Sequence, residues 1–267
     1  MVVADSRQVY RRLDAGTNKP SAADRSRTRF HLVDMVEPDQ SFSVFDFVHV
    51  AAGAIKGITA RGRLPIVEGG SMLYLQALIE GFSLGVPPRP ERRRQLAGLP
   101  PDELRRLLHR LDPEAAVDIR NPVRIVRAIE LLEVAGPPLA RLRQRHAPEW
   151  DVVRVGLKPE WPVLDRRLQE RVARQLEAGL VAETEQLLES GVDPRSPALR
   201  GIGYAEVVGS LQQSFPADEL PQRILRANRR YARRQMRWWG RDRSIRWFDA
   251  EPDPVPGILS YLEQRLA

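Results

Sequence analysis

The chain has 267 residues, 42% of them apolar, and no cysteine. That length suits one large domain or a domain with an insertion, and the missing cysteines exclude disulfide, thiol and cysteine-metal chemistry. No window approaches the roughly 18 uninterrupted apolar residues of a membrane span, and the first residues lack the features of a signal peptide. We therefore expect a globular, cytoplasmic protein that does not associate with a membrane.

The net charge of +7 comes almost wholly from arginine, because the only lysines are Lys19, Lys56 and Lys158. A basic balance of this kind favours a polyanionic partner. Arginine enrichment is also typical of GC-rich genomes, so the positions of the arginines have to decide between the two explanations.

The first ten residues begin with the apolar run Val2-Val3-Ala4, which stops at Asp5 and the polar side chains of Ser6, Arg7 and Gln8. This pattern predicts a buried strand that ends at a carboxylate. Ligands of open α/β sheets bind outside the carboxyl ends of the strands, so chemistry is expected here. Two or three apolar residues are few for a central strand. We therefore expect that the sequence as given begins downstream of the first residue of the native protein.

The next segments alternate between predicted strands and helices, which indicates a parallel sheet with right-handed crossovers. The predicted elements are a strand at Phe30–Asp34, an amphipathic helix over Ser41–Arg61, a strand at Leu64–Glu68 and a helix from about Ser71. Within the first helix, Phe45, Val48, Ala52 and Ile55 form the predicted apolar face, and Ser41 or Ser43 is the expected cap. The glycines before Ser71 favour an anion site at the start of the last helix.

An arginine-rich region with helical spacing follows from Phe82 to Trp150 and is predicted to be a helical insertion. It contains helices over Asp102–His109 and Asn121–Val134. Val152–Leu157 is predicted to return to the sheet, and a long helix is predicted over Trp161–Ser190 with Gly191 ending it.

A predicted helix over Gln222–Trp239 carries Arg226, Arg230, Arg233 and Arg237 on one stripe beside an apolar stripe. No acidic residue occurs from Gln222 to Arg241, so no i,i+4 ion pair within the helix neutralises the arginines. One face would dock on the protein and the other would neutralise phosphates. The competing interpretation is a solvated charged face.

Six motifs in order make the chain resemble the tRNA dimethylallyltransferases, which prenylate the N6 amine of the adenosine next to the anticodon. These motifs are Asp5–Tyr10 with Gly16–Pro20, His31–Asp34, Leu64–Tyr74, Arg124–Glu130, Gly201–Tyr204 and Arg229–Gln235. The resemblance implies a P-loop NTPase-like α/β fold, a parallel sheet flanked by helices with an all-α insertion. The catalytic core would span 1–82 and 151–267, and the tRNA-contacting insertion 83–150.

The resemblance also implies a role for each residue around Asp5. Asp5 would be the general base on the adenine amine, although a lone aspartate after a strand is more often a helix cap or turn residue. Ser6, Arg7 and Gln8 would contact the target base and its neighbours, once that base has left its stack. Ser71 would bind the diphosphate, although the family usually has threonine at this position. Arg171 would also bind the diphosphate, and Arg167 is the alternative candidate for its role.

The implied tRNA contacts lie in the insertion and in the last part of the chain. They comprise Arg93, Val123, Arg124, Ile125, Val126, Arg127, Gly201, Ile202, Gly203, Tyr204, Arg230, Arg233 and Arg234. The implied partners are the tRNA anticodon arm, dimethylallyl diphosphate and Mg²⁺, and we expect a monomer.

One family feature does not occur in the sequence. The family's nucleotide-binding (ATP-binding) type of P-loop ends in Gly-Lys-Thr or Gly-Lys-Ser and cradles the prenyl diphosphate, with its hydroxyl on magnesium. We expect the native protein to carry this loop upstream of Asp5. The alternatives are a catalytically inactive tRNA-binding remnant and a relative of the small-molecule nucleotide kinases. The arginine helix argues against the kinase, which needs no extended surface for a polyanion.

Overall fold

The protein, described by a computed structural model over residues 1–81, 86–141 and 148–266, is a helix-rich α/β protein with small parallel sheets. Within those ranges, none of the helices combines the length and apolarity that crossing a membrane requires. The chain divides into two compact units, one of residues 1–42, 64–72 and 150–267 and the other of residues 43–63 and 73–149. The predicted boundary between residues 82 and 83 lies outside the described residues.

The first unit contains the predicted N-terminal strand. Strand β1 (Val2–Val3) pairs in parallel with β2 (Val67–Glu68), in the register Val2 to Val67 and Val3 to Glu68. On its other side, β1 meets only a single bridge at His31. The strand predicted over Phe30–Asp34 is therefore wrong beyond that bridge, because Leu32 and Asp34 adopt positive φ angles of 66° and 56° that interrupt an extended backbone.

A second parallel pair joins β3 (Arg154–Lys158) to β4 (Ile245–Asp249). The sequence predicted that Val152–Leu157 would return to the first sheet, and this is wrong: in the described part of the chain β3 pairs only with β4. Gly156 favours the pairing of β3 with β4, because a side chain at this position would collide with the ring of Trp247. Without one, the indole can pack on β3.

The helices of the first unit surround a core that brings residues near the N-terminus onto the C-terminal helices. Val9, Tyr10 and Leu13 pack in it with Leu180 and Ile224, all nearly fully buried. The helices are α1 (Ala22–Arg27), α7 (Trp161–Glu177), α8 (Leu180–Glu189), α9 (Tyr204–Leu211), α10 (Leu220–Trp239) and α11 (Val255–Leu266).

The single helix predicted over Trp161–Ser190 is wrong, because Gly179 takes a positive φ of 89° and separates α7 from α8. The turn lets Leu180 point into the core with no exposed surface. Gly191, with a φ of 90°, follows α8 as predicted. The sequence patterns predicted none of α1, α9, β4 and α11.

The second unit is helical in its described part. Its helices are α2 (Val44–Thr59), α3 (Met72–Glu80, from its second residue), α4 (Pro90–Ala97), α5 (Pro101–Leu111) and α6 (Pro122–Ala135). Ser43, one of the two predicted caps, caps α2. Asn121, where a helix was predicted to begin, caps α6. Leu104, Leu108, Ile125 and Ile129 form part of a second core.

The apolar face predicted for α2 is wrong at three of four positions. Phe47, Ala51, Ile55 and Ile58 are its buried residues, and only Ile55 belongs to the predicted set. The helix is apolar on more than one side, so spacing alone did not fix which side packs inward. Phe47 stacks on Tyr74, with ring centroids 4.4 Å apart.

Candidate functional site

The site lies where β1 and β2 end side by side. The amide of Ala4 donates to the carbonyl of Glu68 at 2.6 Å, and the amide of Ser71 donates to the carbonyl of Ala4 at 3.1 Å. The amide of Ser6 then donates to Oγ of Ser71, which is buried, at 2.9 Å. A side chain at Gly69 would collide with the Ala4 carbonyl, so glycine permits this close approach. The turns after the two strands are thus joined, as expected for parallel neighbours.

Asp5 leaves β1 into a turn that its own carboxylate stabilises. Its Oδ1 accepts hydrogen bonds from the backbone amides of Arg7, at 2.7 Å, and Gln8, at 3.4 Å. This is the turn role that a lone aspartate was expected to have. Both bonds use Oδ1, and within the described ranges none of the hydrogen bonds engages Oδ2. One oxygen therefore fixes the residue while the other can still accept a proton.

Charged groups around Asp5 perturb one another. Partial desolvation, followed by repulsion from Asp5, raises the pKa of Glu68. Desolvation, followed by repulsion from Arg174, lowers the pKa of Arg171, and attraction to Asp5 opposes the shift. Arg171 therefore lies within electrostatic reach of Asp5, as a diphosphate-binding residue at this site would.

The two competing arginines of α7 have different surroundings. Arg167 forms an ion pair with Glu251 at 2.8 Å, and about half of each side chain is exposed. Arg171 has no ion-pair partner within the described residues. The geometry therefore favours Arg171 over Arg167 for binding an anion beside Asp5, and the diphosphate role of both stays a prediction.

Helix α10 is attached to the turn that precedes Ser71. The hydroxyl of Tyr231 and Nε2 of Gln235 both donate to the carbonyl of Gly70, at 2.7 and 3.0 Å. A Cβ at Gly70 would lie 2.7 Å from Nε2 of Gln235, so glycine is needed for this contact. Burial, followed by the charge of Asp5, raises the pKa of Tyr231, which keeps its hydroxyl a donor.

No individual role was predicted for Glu68, Tyr231 or Gln235. Tyr231 and Gln235 stand 161 and 165 residues from Gly70, so no local spacing could connect them to the site. Two signals were available: both residues lie in the Arg229–Gln235 motif, and their spacing of four residues places them on one face of a helix.

Gln8 and Arg7 extend from the Asp5 turn in different directions. Gln8 is buried, and its Nε2 donates to the carbonyl of Asn18 at 3.3 Å. Its Oε1 is buried and, among the described residues, has no hydrogen-bond partner. Arg7 donates to the carbonyl of Pro197 and lies against Gly201, where an added Cβ would be 2.9 Å from its Cδ.

The outer face of α10 forms a basic groove, which we call the arginine groove, with a volume of about 420 Å³. Its lining residues are Ile202, Glu206, Ala227, Arg230, Arg233, Arg234 and Arg237. The guanidinium of Arg233 lies 4.6 Å from the centre of the Trp161 ring. The opposite face is buried through Ile224, Leu225 and Ala232, which confirms a two-faced helix.

Some arginines of α10 have acidic partners. Arg229 binds Asp165 of α7 through two hydrogen bonds of 2.5 and 2.7 Å, which hold the pKa of Asp165 below its ordinary value. Arg223 also pairs with Glu219, the cap of α10 four residues earlier, at 2.9 Å. The prediction that no i,i+4 ion pair neutralises the arginines is therefore wrong at Arg223, because its acidic partner lies just before Gln222, and Arg229 is neutralised by α7.

The predicted tRNA contacts of the second unit fall into three environments. Ile125 and Val126 are buried in the helical core. Arg93 and Arg127 both pair with the fully buried Glu130, at 2.8 and 3.4 Å. Val123 and Arg124 are exposed, so theirs are the side chains best placed for RNA, and all these contacts stay predictions.

The Gly201–Tyr204 turn is mostly internal. Gly201, Gly203 and Tyr204 are buried and Ile202 is half-buried, facing the arginine groove. Only Ile202 of the four is exposed enough to offer its side chain to a partner.

Comparisons with known proteins show to which family the chain belongs. The protein-family profile described as IPP transferase matches residues 8–242. The tRNA dimethylallyltransferase of Thermomicrobium roseum is 41% identical over 100% of this chain and 82% of its own length. The tRNA dimethylallyltransferase 1 of Citrifermentans bemidjiense is 40% identical over 100% of this chain and 89% of its own.

A solved structure shares the fold. The full-length tRNA isopentenylpyrophosphate transferase of Bacillus halodurans superposes with a TM-score of 0.72 at 32% identity, covering 99% of this chain and 86% of that one. The predicted P-loop NTPase-like α/β class is consistent with this likeness. On the extent of the profile match and the identity of these relatives, the chain belongs to the IPP transferase family.

Proposed function

We propose that this protein transfers a dimethylallyl group from dimethylallyl diphosphate to the N6 amine of the adenosine 3′ of the anticodon in tRNA. The observation that carries the proposal is the joining of the Asp5 and Ser71 turns at the ends of two parallel strands, with the Arg171 guanidinium of α7 attracted to Asp5. Family membership supports the same reaction. All three groups come from one chain, which is in keeping with a monomer, and we propose that it acts in the cytoplasm.

The reaction needs a proton acceptor on one side and an anion stabiliser on the other. The adenine nitrogen forms a bond to the allylic carbon while the bond from that carbon to the diphosphate oxygen breaks. The amine proton goes to Asp5, whose Oδ2 is not used by the turn. Arg171 and the Ser71 hydroxyl stabilise the negative charge that develops on the leaving diphosphate.

Two features support tRNA as the acceptor. The buried Oε1 of Gln8, which lacks a partner in the described ranges, can accept a hydrogen bond from an extruded base. The arginine groove offers four guanidiniums to RNA phosphates on the outer face of α10.

Magnesium remains a prediction from the family resemblance. Across residues 1–81, 86–141 and 148–266, no three histidine, aspartate or glutamate side chains come together as a metal site. Mg²⁺ is usually held by one or two carboxylates together with waters and substrate phosphates. Asp5 and Glu68, which repel each other electrostatically, are the carboxylates that would hold it beside the diphosphate, and no step above depends on it.

The decisive experiment replaces Asp5 by asparagine, which keeps an oxygen for the turn and removes the base. Transfer of labelled dimethylallyl groups should fall by about 10²–10⁴-fold, the usual contribution of a general base. The affinity for tRNA should stay within about twofold, because the turn is retained. Asp39→Asn, at an exposed aspartate, is the matched control. Wild-type tRNA binding without any transfer would instead identify an inactive tRNA-binding protein.

A further inference from the structure

A hydrogen-bonded cluster away from the reacting groups holds the loop of residues 13–18. Oε2 of Glu183, on α8, accepts from the amides of Asp14 and Ala15 at 2.9 and 3.0 Å. The hydroxyl of Tyr204, at the start of α9, donates to Oε1 of Glu183 at 2.5 Å and accepts from the amide of Gly16 at 3.0 Å. Three consecutive amides of the loop are thus fixed by two side chains.

The cluster is buried and closely packed at Tyr204. Only 1% of this residue is exposed, and burial, followed by the hydrogen bond to Glu183, raises the pKa of its hydroxyl. The hydroxyl is therefore protonated at neutral pH and can donate to Glu183. A Cβ at Gly16 would lie 2.7 Å from Cζ of Tyr204, so glycine is required where the loop crosses the ring. Nε2 of Gln175 donates to the Gly16 carbonyl at 2.9 Å from the other side.

The same loop orients Gln8. Its residue Asn18, at a positive φ of 54°, presents the carbonyl that accepts from Nε2 of Gln8. With Nε2 engaged, the amide cannot turn over, and the buried Oε1 is held as an acceptor that no described residue satisfies. A buried acceptor without a donor destabilises the fold, so its orientation needs support from elsewhere.

We infer that Glu183 and Tyr204 are positioning residues for the reaction, which hold the 13–18 loop so that Asn18 keeps Oε1 of Gln8 aimed at a donor on the substrate base. The inference rests on the proposed function and extends it to residues outside the site. Neither residue touches the reacting atoms. Their effect passes through Gln8, and this distinguishes them from residues that only stabilise the core.

A double-mutant cycle between Glu183→Ala and Gln8→Ala tests this, with prenyl transfer to tRNA as the readout. We expect each single substitution to lower kcat about tenfold while the KM for dimethylallyl diphosphate changes less than about twofold. Because Glu183 acts through Gln8, the double variant should be no slower than Gln8→Ala alone. A double variant whose loss equals the product of the single losses would overturn the inference.

Controls keep the outcome interpretable. Glu185→Ala, at an exposed glutamate of the same helix, should retain wild-type kcat. Glu183→Gln keeps an oxygen for the loop amides and should restore most of the lost activity. If Glu183→Ala unfolds, Tyr204→Phe replaces it in the cycle, since it removes only the hydroxyl. Wild-type protein that transfers no dimethylallyl group overturns the proposed function and this inference together. A multiplicative cycle in active protein overturns the inference alone.

Discussion

The attachment of α10 to the Gly70 turn should stabilise the fold and hold the position of Ser71. Tyr231 and Gln235 donate to one carbonyl, at 2.7 and 3.0 Å. A hydrogen bond between neutral groups contributes about 0.5–1.5 kcal/mol net. Because the second donor remains in either single variant, Tyr231→Phe or Gln235→Leu should each lower the free energy of unfolding by about 1 kcal/mol. Each should lower kcat by less than about fivefold.

The double variant should behave differently, because the half-buried carbonyl then loses both donors. Leaving it unsatisfied costs about 1–3 kcal/mol, and 1.4 kcal/mol in the activation barrier is about a factor of ten in rate. If this cost is relieved by displacement of the Ser71 turn, kcat should fall about 10–100-fold, well beyond the product of the single effects.

The assay combines urea unfolding of each variant with prenyl transfer at saturating dimethylallyl diphosphate. Tyr261→Phe is the matched control, because it removes a tyrosine hydroxyl elsewhere in the first unit. Tyr261 lies in α11, and the centre of its ring is 6.0 Å from that of Phe248. The reasoning is refuted if the double variant loses only the product of the two single losses, or if its kcat equals that of the wild type.

Two further predictions concern charge. Burial alone would raise the pKa of Glu130. Hydrogen bonds from Arg93 and the amide of Arg89, with the charges of Arg93 and Arg127, outweigh burial and hold that pKa below the ordinary 4.5. Glu130→Gln should therefore destabilise the protein by about 2–3 kcal/mol near pH 7, less than for a fully buried pair because the arginines are partly exposed. Because the pKa of Glu130 is lower in the folded protein than in the unfolded chain, its ionised form stabilises the fold at pH values above about 4.5. The loss of stability caused by Glu130→Gln should therefore shrink as the pH falls below about 4.5. An equal loss at pH 7 and pH 4, measured from unfolding curves, would contradict this prediction. In the arginine groove, replacing Arg230 and Arg233 by alanine should weaken tRNA binding and reduce the salt slope by about one unit or less per phosphate contact, whereas an unchanged slope would return that face to simple solvation.

Sequence reasoning succeeded where a local pattern has one structural solution. The apolar run before Asp5, the Asn121 cap and the glycine after α8 are of this kind. It failed where the same residues allow two solutions. Gly179 is tolerated inside a helix on propensity alone, and only the packing of Leu180 decides that the chain turns there.

The candidate site shows the same division. Asp5 and Ser71 could be found because each follows a strand, and parallel strands end at a common edge. The surroundings that tune them could not be found in this way. Tyr231 and Gln235 reach the site from distant positions in the chain, and the contact exists only once α10 has packed on the first unit.

The composition of the first core also bears on how the protein is made. Val9 and Tyr10 share that core with Leu225, so during synthesis they wait for a partner that follows about 200 residues later. At about 5–20 residues per second, this interval is roughly 10–40 s. The helical unit, whose core spans Leu96 to Leu139, completes its contacts sooner. Until α10 has been made, Val9 and Tyr10 lack the partners that bury them, and the nascent chain exposes this apolar surface to aggregation.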